Sequence, residues 1–405
     1  MLRGPAQTTR LRQLLAGILL LLAPAVEARA ENARFDASGY LKTLYRYSRS
    51  GLSGSPYWSD LSRVRTTLEL SRAAGGEPDA PVLRAHADYD HELLTGSYLH
   101  SAEWRRYGTA EPPSYLDMEG TISSAPDAFW RHRLYRGWAE LRSESFDLRF
   151  GRQRVAWGTG KLWNPTDFLN PYPPASIERE ERRGVDALYA RRGLGELGQA
   201  EGVWTLADRW SASDLLARVR GNRWGSDFSL LAGKVAPSTD SWAAGGDFAA
   251  DVFDGNFHGE WLYADLKTRT PFWKGLVGYE YDFGSAPPHA WLKNLWALVE
   301  YHHNGAGRSD ELRYDTGPVT GGREVALARN YLGAGLRKEL HPLLQVELYA
   351  LANLDDQSTF LMPSLDWNAL KDLHLLAGFQ RFGGTRVSEY GRQPDGFFAQ
   401  AQYFF

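Results

Sequence analysis

The sequence predicts an all-β protein, a single antiparallel up-and-down β-barrel that crosses a membrane with about 18 strands (16–18). Three observations predict this fold. Segments of alternating apolar and charged residues repeat along the chain, the connections between them alternate in length, and residues 396–405 form an alternating aromatic strand that ends in Phe405. Long extracellular loops and short periplasmic turns are expected of such a barrel.

The alternation has the period of two that is typical of a half-buried strand. In residues 61–71, apolar side chains and Thr66 share one face, while the other face carries Arg63, Arg65 and Glu69. A soluble β-sandwich would bury one face of each strand in an apolar core, whereas a barrel with a wet interior accounts for both faces. The predicted strands are 34–47, 61–72, 81–91, 129–142, 145–153, 184–192, 198–206, 213–221, 225–235, 240–251, 255–267, 272–282, 293–303, 327–338, 343–353, 357–366, 370–381 and 396–405.

The connection lengths test this assignment independently. The long connections 48–60, 92–128, 154–183, 304–326 and 382–395 all follow odd-numbered strands. Connections after even-numbered strands are mostly short, with 283–292 as the exception. This pattern indicates an even number of strands with all long loops at one end.

The two ends of the sequence indicate export to the bacterial outer membrane. Residues 1–30 have a basic start, an apolar run from Leu14 to Val26 and a small-x-small site at Ala28–Ala30, which predicts a cleaved secretory signal peptide. An uncleaved helical anchor is the alternative. The barrel domain is then residues 31–405, and its last strand is similar to the terminal signal through which the barrel-assembly machinery recognises its substrates, with Phe405 as the key residue.

The composition excludes several classes of protein. The chain has 405 residues, a formal net charge of −3 and no Cys, so disulfides, thiolate metal sites and Cys nucleophiles are excluded. Bulk charge gives no sign of nucleic-acid binding. No cofactor is predicted. The acidic loop residues Asp310, Glu311 and Asp315 could bind a divalent cation, but their spacing matches no metal-binding loop, so a solvated surface loop is favoured and no metal site is predicted.

Arginine dominates the basic residues, with Lys and Arg totalling 46. An inward row of arginines opposite acidic residues would favour anionic or zwitterionic solutes, because a guanidinium matches carboxylate and phosphate geometry. A purely structural role, in which the arginines pair with lumen acids and stiffen the wall, is an equal alternative. The predicted pore-lining residues are Arg63, Arg65, Glu69, Arg84, Asp88, Arg136, Glu140, Arg149, Arg218 and Arg220.

The long connection 154–183 is the most distinctive segment, with two Asn-Pro turns and two tryptophans. Loops of this length in a compact fold are usually functional. We expect it to fold inward and narrow the pore, and the alternative is an external loop on the rim. The predicted constriction residues are Arg152, Arg154, Trp157, Lys161 and Asp167, and residues 177–184 are predicted to form a salt-bridged rim segment.

The pattern GRQ-x₃-WG at 151–158, followed by WNPTD at 163–167, resembles segments of porin-like and alginate-export-like outer-membrane barrels. The resemblance implies a substrate-selective porin in the outer membrane, surrounded by lipid and lipopolysaccharide. Its expected function is passive diffusion of small hydrophilic solutes. No substrate-contacting residue is carried over, and a homotrimer is left open.

Other functional classes are weighed against a channel. An outer-membrane enzyme would need a nucleophile and base at the rim, but no G-x-S-x-G or H-E-x-x-H motif occurs, and His86 with Asp88 is better read as a polar cluster. No catalytic residue is therefore predicted. A barrel that sheathes a partner, for example an electron-transfer conduit, is the main alternative. A receptor with an N-terminal plug is nearly excluded, because strands begin soon after the predicted cleavage site.

Overall fold

The computed structural model describes residues 26–30, 33–75, 80–108, 114–178, 181–182, 184–317 and 324–405. These residues form a closed antiparallel barrel of 18 strands, which confirms the predicted fold class and strand number. We number the barrel strands β1 to β18 in chain order. Two short additional strands are given by their residue ranges.

Each barrel strand overlaps one of the predicted strands. Their bounds are β1 Ala33–Arg49, β2 Pro56–Ala73, β3 Val82–Thr95, β4 Ala128–Arg142, β5 Phe146–Gln153, β6 Val185–Leu194, β7 Gly198–Thr205, β8 Leu215–Arg223, β9 Ser226–Lys234, β10 Trp242–Val252, β11 Gly255–Asp265, β12 Phe272–Asp282, β13 Leu295–Asn304, β14 Asn330–His341, β15 Leu344–Asn353, β16 Thr359–Leu370, β17 Leu373–Gly383 and β18 Gly396–Phe404.

The barrel is closed by pairing between its first and last strands. Tyr40 of β1 lies opposite Phe404 of β18, and the register continues to the pair Ser48 and Gly396. The backbone of Phe405 extends this pairing, because its N–H and carbonyl both bond Gly39. Closure leaves the wall without an unpaired edge, which is what a hydrocarbon environment requires.

The two faces of each strand differ in polarity as predicted. On β11, Phe257, Trp261 and Tyr263 are exposed on the outer face, while His258 and Glu260 are buried on the inner face. An apolar exterior that includes interfacial aromatic residues suits a bilayer. No helix within the described residues is long and apolar enough to cross a membrane.

The lengths of the connections agree with the predicted pattern. Turns after even-numbered strands include the two-residue connections 224–225, 253–254, 342–343 and 371–372. The longest connections, 96–127, 154–184 and 305–329, follow odd-numbered strands. The longer even connection, 283–294, contains a short 3-10 turn at Ala290–Leu292.

Two features of the wall around β4 were not predicted. Inside the connection 96–127, the strand Glu119–Ala125 pairs with the start of β4, and a short helix spans Ala102–Tyr107. A β-bulge also interrupts the pairing of β3 with β4, since Asp88 lies opposite Arg136 but Tyr89 lies opposite Leu134. A bulge shifts the inward-outward alternation of a strand by one residue.

The predicted signal peptide lies outside the described residues except for Val26–Ala30. These five residues form a short strand that pairs with Ala33–Ala37 of β1.

Candidate pore and constriction segment

The connection between β5 and β6 folds into the barrel interior over its described residues, 154–178, 181–182 and 184. We call these residues the constriction segment. Its contacts lead from β11 and β13, past β14 and β17, to β1 and β2, and then to β4 before the chain enters β6. The segment therefore follows the inner wall around the lumen.

Two buried glutamates on the inner wall hold the first part of the segment. Glu260 of β11 accepts the backbone N–H groups of Thr159 at 2.7 Å and Gly160 at 2.6 Å, and also bonds the N–H and hydroxyl of Thr166. Glu300 of β13 accepts N–H groups of the neighbouring residues 161–163. Each carboxylate thus gathers several donors that a turn leaves unpaired, as in an anion-binding nest.

Glu300 is itself positioned by a histidine. His258 of β11 is fully buried, and its Nε2 lies 2.9 Å from Glu300 Oε1. Glu260, Glu300 and His258 were not predicted as site residues. Their inward direction follows from strand alternation, but nothing in the sequence links them to a loop a hundred residues away.

Apolar packing fixes the segment between the polar contacts. Trp163 is 1% exposed, and it stacks on the ring of His302 and contacts Tyr331. Trp157, which is 3% exposed, belongs to a second buried cluster with Leu216 of β8 and inner residues of the adjacent strands. Gln380 of β17 donates to the carbonyl of residue 175. The interior near the segment is therefore a packed core.

The far end of the segment is held by ion pairs. Glu178 contacts Lys42 at 2.5 Å and Arg63 at 2.9 Å, while Glu181 lies 3.0 Å from Arg65 and accepts from the hydroxyl of Tyr40 at 2.7 Å. Burial opposes ionisation, but the charges of Arg63 and Lys42 hold the pKa of Glu178 below its ordinary value. Within the predicted salt-bridged rim segment, Glu178 and Glu181 are therefore ion-paired to the inner wall of β1 and β2 and lie within the barrel.

The predicted pore-lining residues on β2 and β3 face inward but are strongly paired. Arg63 bonds Glu92 at 2.7 Å, and Arg65 bonds Asp90 at 2.6 Å. Asp88 accepts from Thr67 and contacts His86, which also contacts Glu69.

The remaining predicted positions lie on β3 to β5 and on β8. The pairs are Arg84 with Glu140, Arg149 with Glu140, Arg136 with the carbonyl of residue 182, and Arg218 with Asp247 and Glu201. Arg220 is exposed and shares the strand face of Arg218 towards the β8–β9 turn.

Two further inner-wall arginines were missed because of the bulge. Arg131 and Arg133 precede Tyr135 on β4. Both donate to the carboxylate of Glu92, Arg131 at 2.7 Å and Arg133 at 2.9 Å. Simple alternation from Arg136 would have turned them outward, but the extra residue in the bulge reverses the parity. They complete a network in which Glu92 is surrounded by three guanidinium groups.

The predicted constriction residues have different environments. The structure places Arg152 in β5, where it pairs with Asp186 at 2.9 Å and donates to the carbonyl of Leu134 on β4, so it lies outside the constriction segment. Trp157 is buried, and Lys161 reaches Glu280 at 3.2 Å. Burial raises the pKa of Asp167 to about 6, while Arg182 at 3.6 Å and the N–H of Asn170 oppose the shift.

Arg154 lines a cavity of about 220 Å³ beside the constriction segment. Arg142, Arg149, Arg154 and Arg191 contribute its positive groups, and Asp147 and Glu201 contribute its carboxylates. The aromatic side chains of Trp157 and Tyr189 also line it. Four guanidinium groups and two carboxylates leave this lining with an excess of positive charge.

Comparison with known proteins identifies the fold but no family. No family model matches the sequence, and no curated protein matches it. The outer membrane protein OpdK from Pseudomonas aeruginosa has a TM-score of 0.54 and 10% identity, covering 93% of this chain and 100% of that one. OccAB1 from Acinetobacter baumannii has a TM-score of 0.54 and 10% sequence identity, and the match covers 92% of this chain and 96% of that one. OccD3 (OpdP) from Pseudomonas aeruginosa has a TM-score of 0.54 and 8% sequence identity, and the match covers 95% of this chain and 93% of that one.

The fold is therefore the porin-like barrel fold that the sequence resemblance implied. Together with the apolar exterior, it defines the chain as a closed β-barrel whose outer surface suits a lipid bilayer.

Proposed function

We propose that this protein is an outer-membrane channel for passive diffusion of small hydrophilic solutes, with a preference for anionic or zwitterionic ones. The observation that carries the proposal is the constriction segment, which lies inside the barrel along the inner wall and beside an arginine-rich cavity. A narrowed, charged passage is the arrangement by which pores select solutes. The proposal is of a channel and not of an enzyme.

The preference for anions rests on the cavity rather than on the arginines of β2 and β4. The latter are balanced by Asp90, Glu92, Glu178 and Glu181, which lie within ion-pair distance. In the cavity, Arg142 and Arg191 retain side-chain exposures of 49% and 38%, and they share the single carboxylate of Asp147. An incoming carboxylate or phosphate would therefore meet guanidinium groups that are still accessible.

An outer-membrane channel would contact lipid, the assembly machinery and its solutes. The outer face would contact lipid and lipopolysaccharide, and the strand ending in Phe405 would present the recognition signal to the barrel-assembly machinery. Small hydrophilic solutes are the proposed cargo. A homotrimer is compatible with the barrel, and its test is the mass of the detergent-purified protein after subtraction of bound detergent.

The test is conductance of the purified protein in a planar bilayer, with the reversal potential measured under a salt gradient. We expect stepwise openings and a potential of the sign that anion preference gives. In Arg142→Gln with Arg191→Gln, that potential should move towards zero, because two of the accessible positive charges are removed.

Arg192→Gln is the matched control. Arg192 neighbours Arg191 on β6 but occupies the opposite strand face, so its removal should leave the potential unchanged. A wild-type preference for cations, or no openings from correctly folded protein, would contradict the proposal. In the second case the sheath alternative is tested by identifying proteins that copurify with the barrel.

A further inference from the structure

A second cavity, of about 470 Å³, lies at the long-loop end of the barrel. It is formed between the loop 266–271 and the described residues 305–317 and 324–329 of the loop after β13, and none of its lining residues belongs to the constriction segment. Phe272 and Asn304 contribute buried inner-face positions of β12 and β13. The cavity volume lies within the range of small-molecule sites.

One carboxylate in this cavity is already neutralised by two cations. Glu324 lies 3.0 Å from Arg269 and 2.6 Å from Lys274. Burial opposes its ionisation, but the charge of Lys274 and the bonds from both cations hold its pKa below the ordinary value. The guanidinium of Arg269 also lies 4.3 Å from the ring centre of Phe272, which restrains its orientation.

Two further arginines line the cavity without a carboxylate partner. Arg308 and Arg329 are both exposed, and in the described part of the chain no acidic side chain forms an ion pair with either guanidinium. Arg329 donates its Nε to the carbonyl of Gly307 at 3.3 Å, which orients the guanidinium plane. Asp315 is the other acid in the lining, and it accepts the N–H of Gly317 at 3.0 Å.

We propose that this cavity is a binding site for a small organic anion of about hexose size that carries a phosphate or carboxylate group. Arg308 and Arg329 would bind the oxyanion, since two guanidinium forks match its geometry. The uncharged part of the ligand would pack against Phe272. The inference goes beyond the proposed channel, because it concerns a saturable site that does not require conduction.

The same oxyanion chemistry occurs in the phosphorylated headgroup of lipopolysaccharide. Phe272 and Asn304 lie on the inner face of the barrel. The cavity is therefore better placed for a solute that enters the barrel than for a lipid outside the wall. The experiment therefore includes an arm for each source.

The experiment is isothermal titration of the purified, lipopolysaccharide-free protein in a non-ionic detergent with glucose 6-phosphate and, as the neutral counterpart, glucose. We expect saturable binding of glucose 6-phosphate and none of glucose. Binding should weaken about tenfold or more in Arg308→Ala with Arg329→Ala, since two charge-assisted contacts are lost. Inorganic phosphate should compete.

Arg313→Ala is the control, because Arg313 lies in the same loop, pairs with Asp310 and does not line the cavity. Its affinity should equal that of the wild type. The proposal is overturned if glucose 6-phosphate shows no saturable binding, or if the double variant binds it normally. It is also overturned if purified lipopolysaccharide binds through Arg308 and Arg329 while glucose 6-phosphate does not. Because titration does not depend on current, failure of this site and failure of the channel are separate results.

Discussion

Glu300 on β13 accepts the backbone N–H of Leu162 at 2.9 Å, so a wall strand binds the main chain of the constriction segment directly. The bond is formed in a fully buried environment, where a charge-assisted hydrogen bond is strong and an unpaired donor is costly. Glu260 on β11 binds the segment in the same way two residues earlier. At residues 159–163, these bonds therefore involve the main chain of the segment and not its side chains.

Removal of both carboxylates should release the segment. In Glu260→Ala with Glu300→Ala, the buried N–H groups of residues 159–163 lose their acceptors, at about 1–3 kcal/mol for each unpaired group. We expect a larger single-channel conductance and faster proteolysis within residues 157–172. Glu339→Ala is the control, because Glu339 is exposed at the end of β14 that lies away from the segment. Unchanged conductance in a folded double variant would show that the segment does not narrow the pore.

Neutralising Glu181 should strengthen anion preference. Glu181 lies within 3.4 Å of Lys42, Arg63 and Arg65, so Glu181→Gln leaves three cations with one fewer counter-charge. The amide retains an acceptor for the hydroxyl of Tyr40. The reversal potential under a salt gradient should move further in the anion-selective direction. Glu196→Gln, at an exposed turn position, should have no effect, and a shift towards cations in Glu181→Gln would refute the electrostatic argument.

Gly333 of β14 provides the space for the indole of Trp163. A Cβ at this position would lie 2.4 Å from Leu162 Cδ1 and 2.6 Å from the Trp163 ring. Gly333→Ala should therefore destabilise the protein by about 1–3 kcal/mol through overpacking. Thermal unfolding followed by circular dichroism measures this. Gly202→Ala, where a Cβ meets nothing within 4 Å, is the control, and equal unfolding temperatures for the two variants would contradict the packing argument.

The packing of the long loops should weaken as pH rises through neutrality. Glu389 bonds Tyr331, Asn353 and the N–H of Leu327, and burial raises its pKa to about 7, assisted by the charge of Asp356. A carboxyl group with a raised folded-state pKa stabilises the fold at low pH and loses that contribution as pH rises through about 7.

Amide hydrogen exchange at pH 6 and pH 8, corrected for intrinsic rates, measures this effect. After that correction, Leu327 and its neighbours should be less protected at pH 8. Glu389→Gln should abolish the difference between the two pH values, because the side chain no longer titrates. If the variant keeps the wild-type difference, another group is responsible.

The sequence was sufficient to predict the barrel because its signal is local. Alternation on each strand and the length of each connection are properties of short segments, and all eighteen strands were found where this periodicity placed them. The inward folding of the constriction segment was likewise expected from the turn residues and length of that connection.

Contacts between distant segments could not be predicted from the same signal. The partnership of Glu300 with Leu162 joins residues 138 positions apart, and no periodicity encodes it. Arg131 and Arg133 were missed because a single bulge at Tyr135 reverses the parity on β4. Arg152 was assigned to the segment, but its partner Asp186 lies in β6, across the whole connection.

The pairing of β1 with β18 has a consequence for how the molecule forms. β1 and β18 are the two barrel strands that lie farthest apart in the sequence. Their pairing therefore has the largest entropic cost of loop closure of any strand pair in the barrel. Until β18 pairs with β1, the sheet has two unpaired edge strands, which can form hydrogen bonds with strands of other chains. Pairing of β18 with β1 therefore removes both edges at which the sheet could assemble with another chain.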